Sequence, residues 1–72
     1  MSNLKEIRLR KGLSQSELSE ASGVNLRIIQ YYEQGANDIN KAQGITLYKI
    51  ARALNCKIED LLEIEIKEGE CL

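Results

Sequence analysis

The chain contains no histidine and two cysteines, Cys56 and Cys71, fifteen positions apart. Two thiols without an imidazole fall short of the four ligands of a structural zinc site, and a single bridge would make no disulfide framework. Covalent catalysis needs a nucleophile beside a base, and the chain has neither a His base nor a Cys–His pair. At 72 residues it is also short of the length needed to wall off a water-excluding cleft. No glycine-rich loop carries Lys and Ser/Thr at phosphate-cradling spacing. The reading is a binding module rather than an enzyme, with no metal and no cofactor, whose chemistry is hydrogen bonding and charge.

That charge is unevenly distributed. The formal net charge is -1, yet residues 1–58 carry nine basic against five acidic groups, a net of +4. Residues 59–72 carry six acidic groups against Lys67, a net of -5. A body of +4 can meet phosphates, provided that the acidic tail lies away from them. The two thiols fit a reducing compartment, with Cys56 a half-buried packing residue. The N-terminus has no apolar run of signal-peptide length, and no segment reaches the roughly 18 apolar residues of a membrane span. The expected location is the cytoplasm.

The elements that must position these groups are helical. Ten Leu and nine Ile supply a core for one small domain, and no Pro occurs. Gly12, Gly23, Gly35 and Gly44 fall between apolar-periodic stretches, as helix punctuation does. Five short helices are expected. The first covers residues 3–11, with Leu4 and Ile7 on one face and Arg8, Arg10 and Lys11 towards its C-terminal end. Ser14-Gln15-Ser16-Glu17 reads as a capping box opening a second helix that continues to about residue 22, with Leu18 and Ala21 inward. Asn25 caps a third helix over residues 26–34, with Tyr32 and either Ile28 or Ile29 inward. Residues 36–44 form a loop with one turn at Asp38-Ile39-Asn40, whose Ile39 drops into the core. Leu47, Ile50, Ala51 and Leu54 make the stripe of a fourth helix over residues 45–54, and Ile58, Leu61 and Leu62 a short fifth.

Beyond it, Leu62-Glu63-Ile64-Glu65-Ile66-Lys67 alternates apolar and charged with period two, which suits a half-buried strand. A lone strand has no stable solution, so the economical expectation is pairing with the same strand of a second copy, making a homodimer. The alternative is a frayed helix extension or disorder. The expected organisation is a helical domain over residues 1–62 and an acidic dimerisation tail over residues 63–72.

The spacing Gln15, Leu18, Ser19, Gly23, Val24, Ile29, Tyr32, Glu33 places two helices across a three-residue turn, with small or apolar residues at the core-facing positions. Leu4-Lys5-Glu6-Ile7-Arg8, Lys11-Gly12-Leu13-Ser14-Gln15, Glu33-Gln34-Gly35 and Lys49-Ile50-Ala51-Arg52-Ala53-Leu54 flank it in order. Over residues 3–62 the chain resembles the phage-repressor, Cro or Xre-type helix-turn-helix family. The resemblance implies an all-α, five-helix repressor-like domain, to which the tail strand is added.

The resemblance further implies that double-stranded DNA is the partner and that the opening turns of the third helix enter the major groove, turning Asn25, Leu26, Arg27, Gln30 and Tyr31 to DNA. Arg27 would take a guanine edge with its fork, Gln30 an adenine, and Leu26 a thymine methyl. Gln15 and its N–H would sit on a phosphate. Asn37, Lys41 and the N–H groups after Gly35 would meet the backbone beyond the groove. The alternatives are a solvated N-terminal residue for Gln15, an ordinary exposed helix face for Gln30 and Tyr31, and a surface lysine for Lys41. Arg8 and Glu33 match a pair that ties the first helix to the third. Two departures from the family stand out: a loop after Gly35 about three residues longer, and an apolar Leu26 and Ile28 on the reading helix. The first expectation is a sequence-specific transcriptional regulator, a dimeric repressor on a palindromic operator. The competing one is an antitoxin-like or adaptor protein whose third-helix face or acidic tail binds another protein.

Overall fold

The computed structural model describes residues 2–63, and among these the regular elements are all helical. Helix α1 (Asn3–Arg10) starts at Ser2, whose hydroxyl accepts from the Lys5 N–H at 3.2 Å. It ends one residue before expectation, with Lys11 as its C-cap. Helix α2 (Gln15–Ser22) opens on the capping box: the Glu17 N–H donates to Ser14 Oγ at 3.0 Å, and the Ser14 N–H to the Glu17 carboxylate at 2.8 Å. Gly23 leaves α2 with φ of 74°, the left-handed turn that a side chain would strain. Helix α3 (Leu26–Gln34) has the bounds expected, because Asn25 accepts from the Arg27 N–H at 2.8 Å at one end and Gly35 turns left-handed, φ 81°, at the other.

The loop that follows contains a 3-10 turn, Ile39–Lys41, initiated by the Asp38 carboxylate accepting from the Asn40 N–H at 2.9 Å. Ile39 is buried, as anticipated. Helix α4 (Gly44–Leu54) takes in Gly44, which was expected to punctuate the loop, and ends at Asn55 in the left-handed region with φ of 53°. Helix α5 (Ile58–Leu61) is short, its start held by the Lys57 N–H donating to Asp60 at 3.1 Å.

Helix α2 packs against α3 and α4, α4 against α5, and α1 against both α3 and α5. Every helix sends a fully buried side chain to one core: Leu4, Leu18, Ile29, Ile50 with Leu54, and Leu61. Each such burial is worth about 1.5–3 kcal/mol relative to exposure. Val24 plugs the corner between α2 and α3. The pair left open in α3 resolves to Ile29, which is fully buried, while Ile28 is 38% exposed. Ala21 corrects an expectation: it is exposed, and Ser22 takes the inward place. The Ser22 hydroxyl can be buried because it accepts from the Val24 N–H at 3.1 Å.

Leu62 leaves α5 in extended conformation, φ -75° and ψ 144°. Its carbonyl accepts from Asn3 Nδ2 at 2.8 Å, while the Asn40 amide grips Glu63 twice, Oδ1 accepting from its N–H at 2.8 Å and Nδ2 donating to its carbonyl at 3.0 Å. Glu63 Oε1 accepts in turn from the Asn3 N–H at 2.8 Å. Glu63, assigned by sequence to the tail, is therefore hydrogen-bonded to the helical domain. From residue 64 onward the expected strand lies outside the described residues. Among those described, no helix is long and apolar enough to cross a membrane.

Candidate nucleic-acid interface

The capping box satisfies the N–H groups of Ser14 and Glu17 and leaves those of Gln15 and Ser16, at the positive end of α2, without an acceptor among the described residues. Beside this end runs α3. Asn25 and Arg27 are exposed, Leu26 and Gln30 are half-buried, and these four line one open concavity. Leu26 and Gln30 stand four residues apart on a helical face, with Arg27 alongside. Tyr31, next on the same helix, is 39% exposed.

Behind the concavity lies a polar chain joining three helices. Arg8 Nε donates to Glu33 Oε2 at 2.7 Å and Nη2 to Oε1 at 3.0 Å, with only 7% and 3% of the two side chains exposed. The remaining fork nitrogen, Nη1, donates to the Leu13 carbonyl at 2.8 Å. The hydrogen bond to Glu33 raises the Arg8 pKa above its ordinary value, against desolvation, with the Glu33 charge adding to the rise. Glu33 Oε1 also accepts from Gln15 Nε2 at 3.1 Å, and Gln15 Oε1 accepts from Gln30 Nε2 at 3.5 Å. The expected Arg8–Glu33 pair is present and buried. Its extension to Gln15 was not anticipated, although a signal existed: a buried acid three residues after Gln30 needs donors, and Gln15 is a polar residue opening the neighbouring helix.

The outer residues are arranged differently. The Ala36 and Asn37 N–H groups donate back to the Tyr31 carbonyl at 2.9 and 3.2 Å, closing the end of α3. The amides after Gly35 that were expected to face a phosphate are thus used internally. The Asn37 side chain is exposed beside Gln34 and Asp38, in a concavity separate from that of Arg27. Lys41 is exposed on the 3-10 turn. Gln15 and Gln30 are thus brought into contact, Asn25, Leu26 and Arg27 gather with Gln30, and Tyr31, Asn37 and Lys41 stand outside that group.

A helix-turn-helix family model matches residues 4–61, which spans all five helices but for the first residue of α1. Two relatives from Archaeoglobus fulgidus, each named an uncharacterized HTH-type transcriptional regulator, are 35% identical over 65 residues. The alignments cover 90% of this chain and 89% and 87% of the relatives. No solved structure matches the chain. With one family model taking in nearly the whole helical domain, the chain belongs to the helix-turn-helix family.

Proposed function

We propose that this chain is a sequence-specific DNA-binding regulator of transcription, acting in the cytoplasm as a dimeric repressor on a two-fold related operator. The family and the names of the two relatives support DNA binding and regulation. In this reading α3 lies in the major groove. Arg27 takes a guanine edge, Gln30 an adenine, Leu26 a thymine methyl, and Asn25 and Tyr31 flank them. The Gln15 and Ser16 N–H groups hold a phosphate at the positive end of α2. Asn37 and Lys41 meet the backbone beyond the groove. Residues 1–62 make the DNA-binding domain, and the acidic residues 63–72 stay off the duplex, those from residue 64 onward pairing with a second copy. The two half-sites then lie about 34 Å apart, one helical turn. Repression follows from occupancy.

The observation that carries this reading is the face of α3, where Asn25, Leu26, Arg27 and Gln30 surround one open concavity and Gln30 meets Gln15, the opening residue of α2, at 3.5 Å. The test is selection of bound sequences from random duplex DNA, followed by titration of the winner. Between about 50 and 200 mM salt its affinity should fall on the order of 10³-fold if some six phosphates are contacted. Arg27→Ala should relax the preference at one base pair, and Lys41→Ala, which removes a backbone contact, should weaken all sequences alike. If both variants bind as the wild type does, the assignment of the face is wrong.

A further inference from the structure

The Glu33 carboxylate does more than hold Arg8. An ionised carboxylate only accepts hydrogen bonds. Gln15 contacts Glu33 Oε1, so the end of its amide turned inward must be the nitrogen, whichever way an amide might otherwise be placed. The Gln15 oxygen consequently faces α3. That oxygen accepts only, so Gln30 must present its own nitrogen to it, as it does at 3.5 Å. The polarity set by one buried charge is passed along two amides. Gln30 Oε1 is left turned away from Gln15, together with the second hydrogen on Nε2.

We propose that Glu33 is a positioning residue for base recognition, fixing through Gln15 the direction of the Gln30 amide so that Gln30 selects adenine and rejects guanine. This rests on the reading that α3 faces base edges. A free glutamine is ambivalent, since rotating its amide by half a turn exchanges donor and acceptor. With the turn blocked, an outward oxygen accepts from adenine N6 while the second Nε2 hydrogen reaches N7. Guanine presents acceptors at both O6 and N7 and would face the Gln30 oxygen with no proton between them. Arg8 belongs to the device because its two bonds hold the carboxylate in place.

The experiment measures affinity for the selected operator and for variants at the base pair whose preference Gln30→Ala abolishes. The wild type should favour adenine over guanine there by about fivefold to about a hundredfold, the range of a good bidentate contact. Gln15→Met leaves the Arg8–Glu33 bonds in place and removes the relay. It keeps the backbone N–H groups that hold the phosphate and should collapse the adenine-to-guanine ratio to within about twofold. The ratio is insensitive to a uniform loss, which separates positioning from simple weakening. Glu33→Gln should collapse it too if the variant folds, and Gln15→Met carries the test if it does not. A wild-type ratio in Gln15→Met overturns the proposal. So does a Gln30→Ala variant with every base preference intact, and if Arg27→Ala still relaxes specificity the DNA-binding reading survives that result. If the wild type selects no duplex, that reading falls and the relay falls with it.

Discussion

Replacing Glu33 by alanine leaves the Arg8 guanidinium inside the protein with one partner, the Leu13 carbonyl, in place of three acceptors. The side chain cannot swing out to water cheaply, because α1 and α3 pack against each other and Arg8 is 7% exposed. Removing one member of a buried pair costs about 3–5 kcal/mol, most of it the penalty of stranding the other charge. A domain of this length has a total stability of about 3–9 kcal/mol, so the loss takes roughly a third or more of it. At about 4–8 °C per kcal/mol, Tm should fall by roughly 12 to 40 °C. Thermal and urea unfolding followed by far-UV circular dichroism measure this directly. Arg8→Met combined with Glu33→Leu removes both charges and should recover to within about 1 kcal/mol of the wild type, since apolar replacement of an intact pair is often neutral or favourable. A loss below about 1 kcal/mol for Glu33→Ala would refute the reasoning, for it would mean that the stranded guanidinium reaches water.

Three further outcomes follow from local geometry. The Ser14 amide, and secondarily its hydroxyl, hold the Glu17 carboxyl below its ordinary pKa, so the capping box adds stability at neutral pH that is lost as pH falls below about 4; Glu17→Gln should flatten this acid limb in unfolding measured against pH. Asn55 occupies the left-handed region at the end of α4, so Asn55→Ala should cost about 1 kcal/mol in urea unfolding while Asn55→Gly does not. Asn40→Ala removes both bonds to the Glu63 backbone, and hydrogen exchange at the Glu63 amide should rise to nearly that of an open chain, whereas unchanged protection would show that Asn3 alone holds the exit.

Elements whose boundaries are written in local chemistry were legible in the sequence. Asn25 and Gly35 bracket α3, the serine and glutamate of the capping box open α2, and Ile39 is an isolated apolar residue in a polar loop with only the core to go to. Helix α2 shows where such reasoning stops. Leu18 is its one large apolar residue, so the periodicity has no second point to set the phase, and a small Ala21 reads as inward as readily as Ser22. The burial of Ser22 depends on an N–H two residues on, beyond the helix. The end of α4 at Leu54 was nonetheless read from its apolar stripe, although Asn55 rather than a glycine takes the left-handed turn there. The bonds of Asn3 to Leu62 and of Asn40 to Glu63 join residues 59 and 23 positions apart, a separation at which no periodicity carries information. For the candidate site, the family resemblance nominated Arg27, Gln30 and Gln15 for contact with DNA, but the link from Gln15 to Glu33 exists only once α2 and α3 have crossed.

On the proposed relay, the buried ion pair has a role that Met and Leu could not take, even where they would serve stability as well. A hydrophobic pair at positions 8 and 33 would tie α1 to α3 but offer no acceptor to the Gln15 nitrogen, and the Gln15 and Gln30 amides would be free to turn. The doubly substituted Arg8→Met, Glu33→Leu variant therefore separates two quantities that the wild type combines. Its unfolding free energy should lie near the wild-type value, while its preference for adenine over guanine at the Gln30 base pair should be lost. A variant that is both stable and discriminating would show that Gln30 is oriented by the DNA itself rather than by the protein. A stable but indiscriminate one places the origin of that base preference in the interior, in the carboxylate shared by the fold and the reading face.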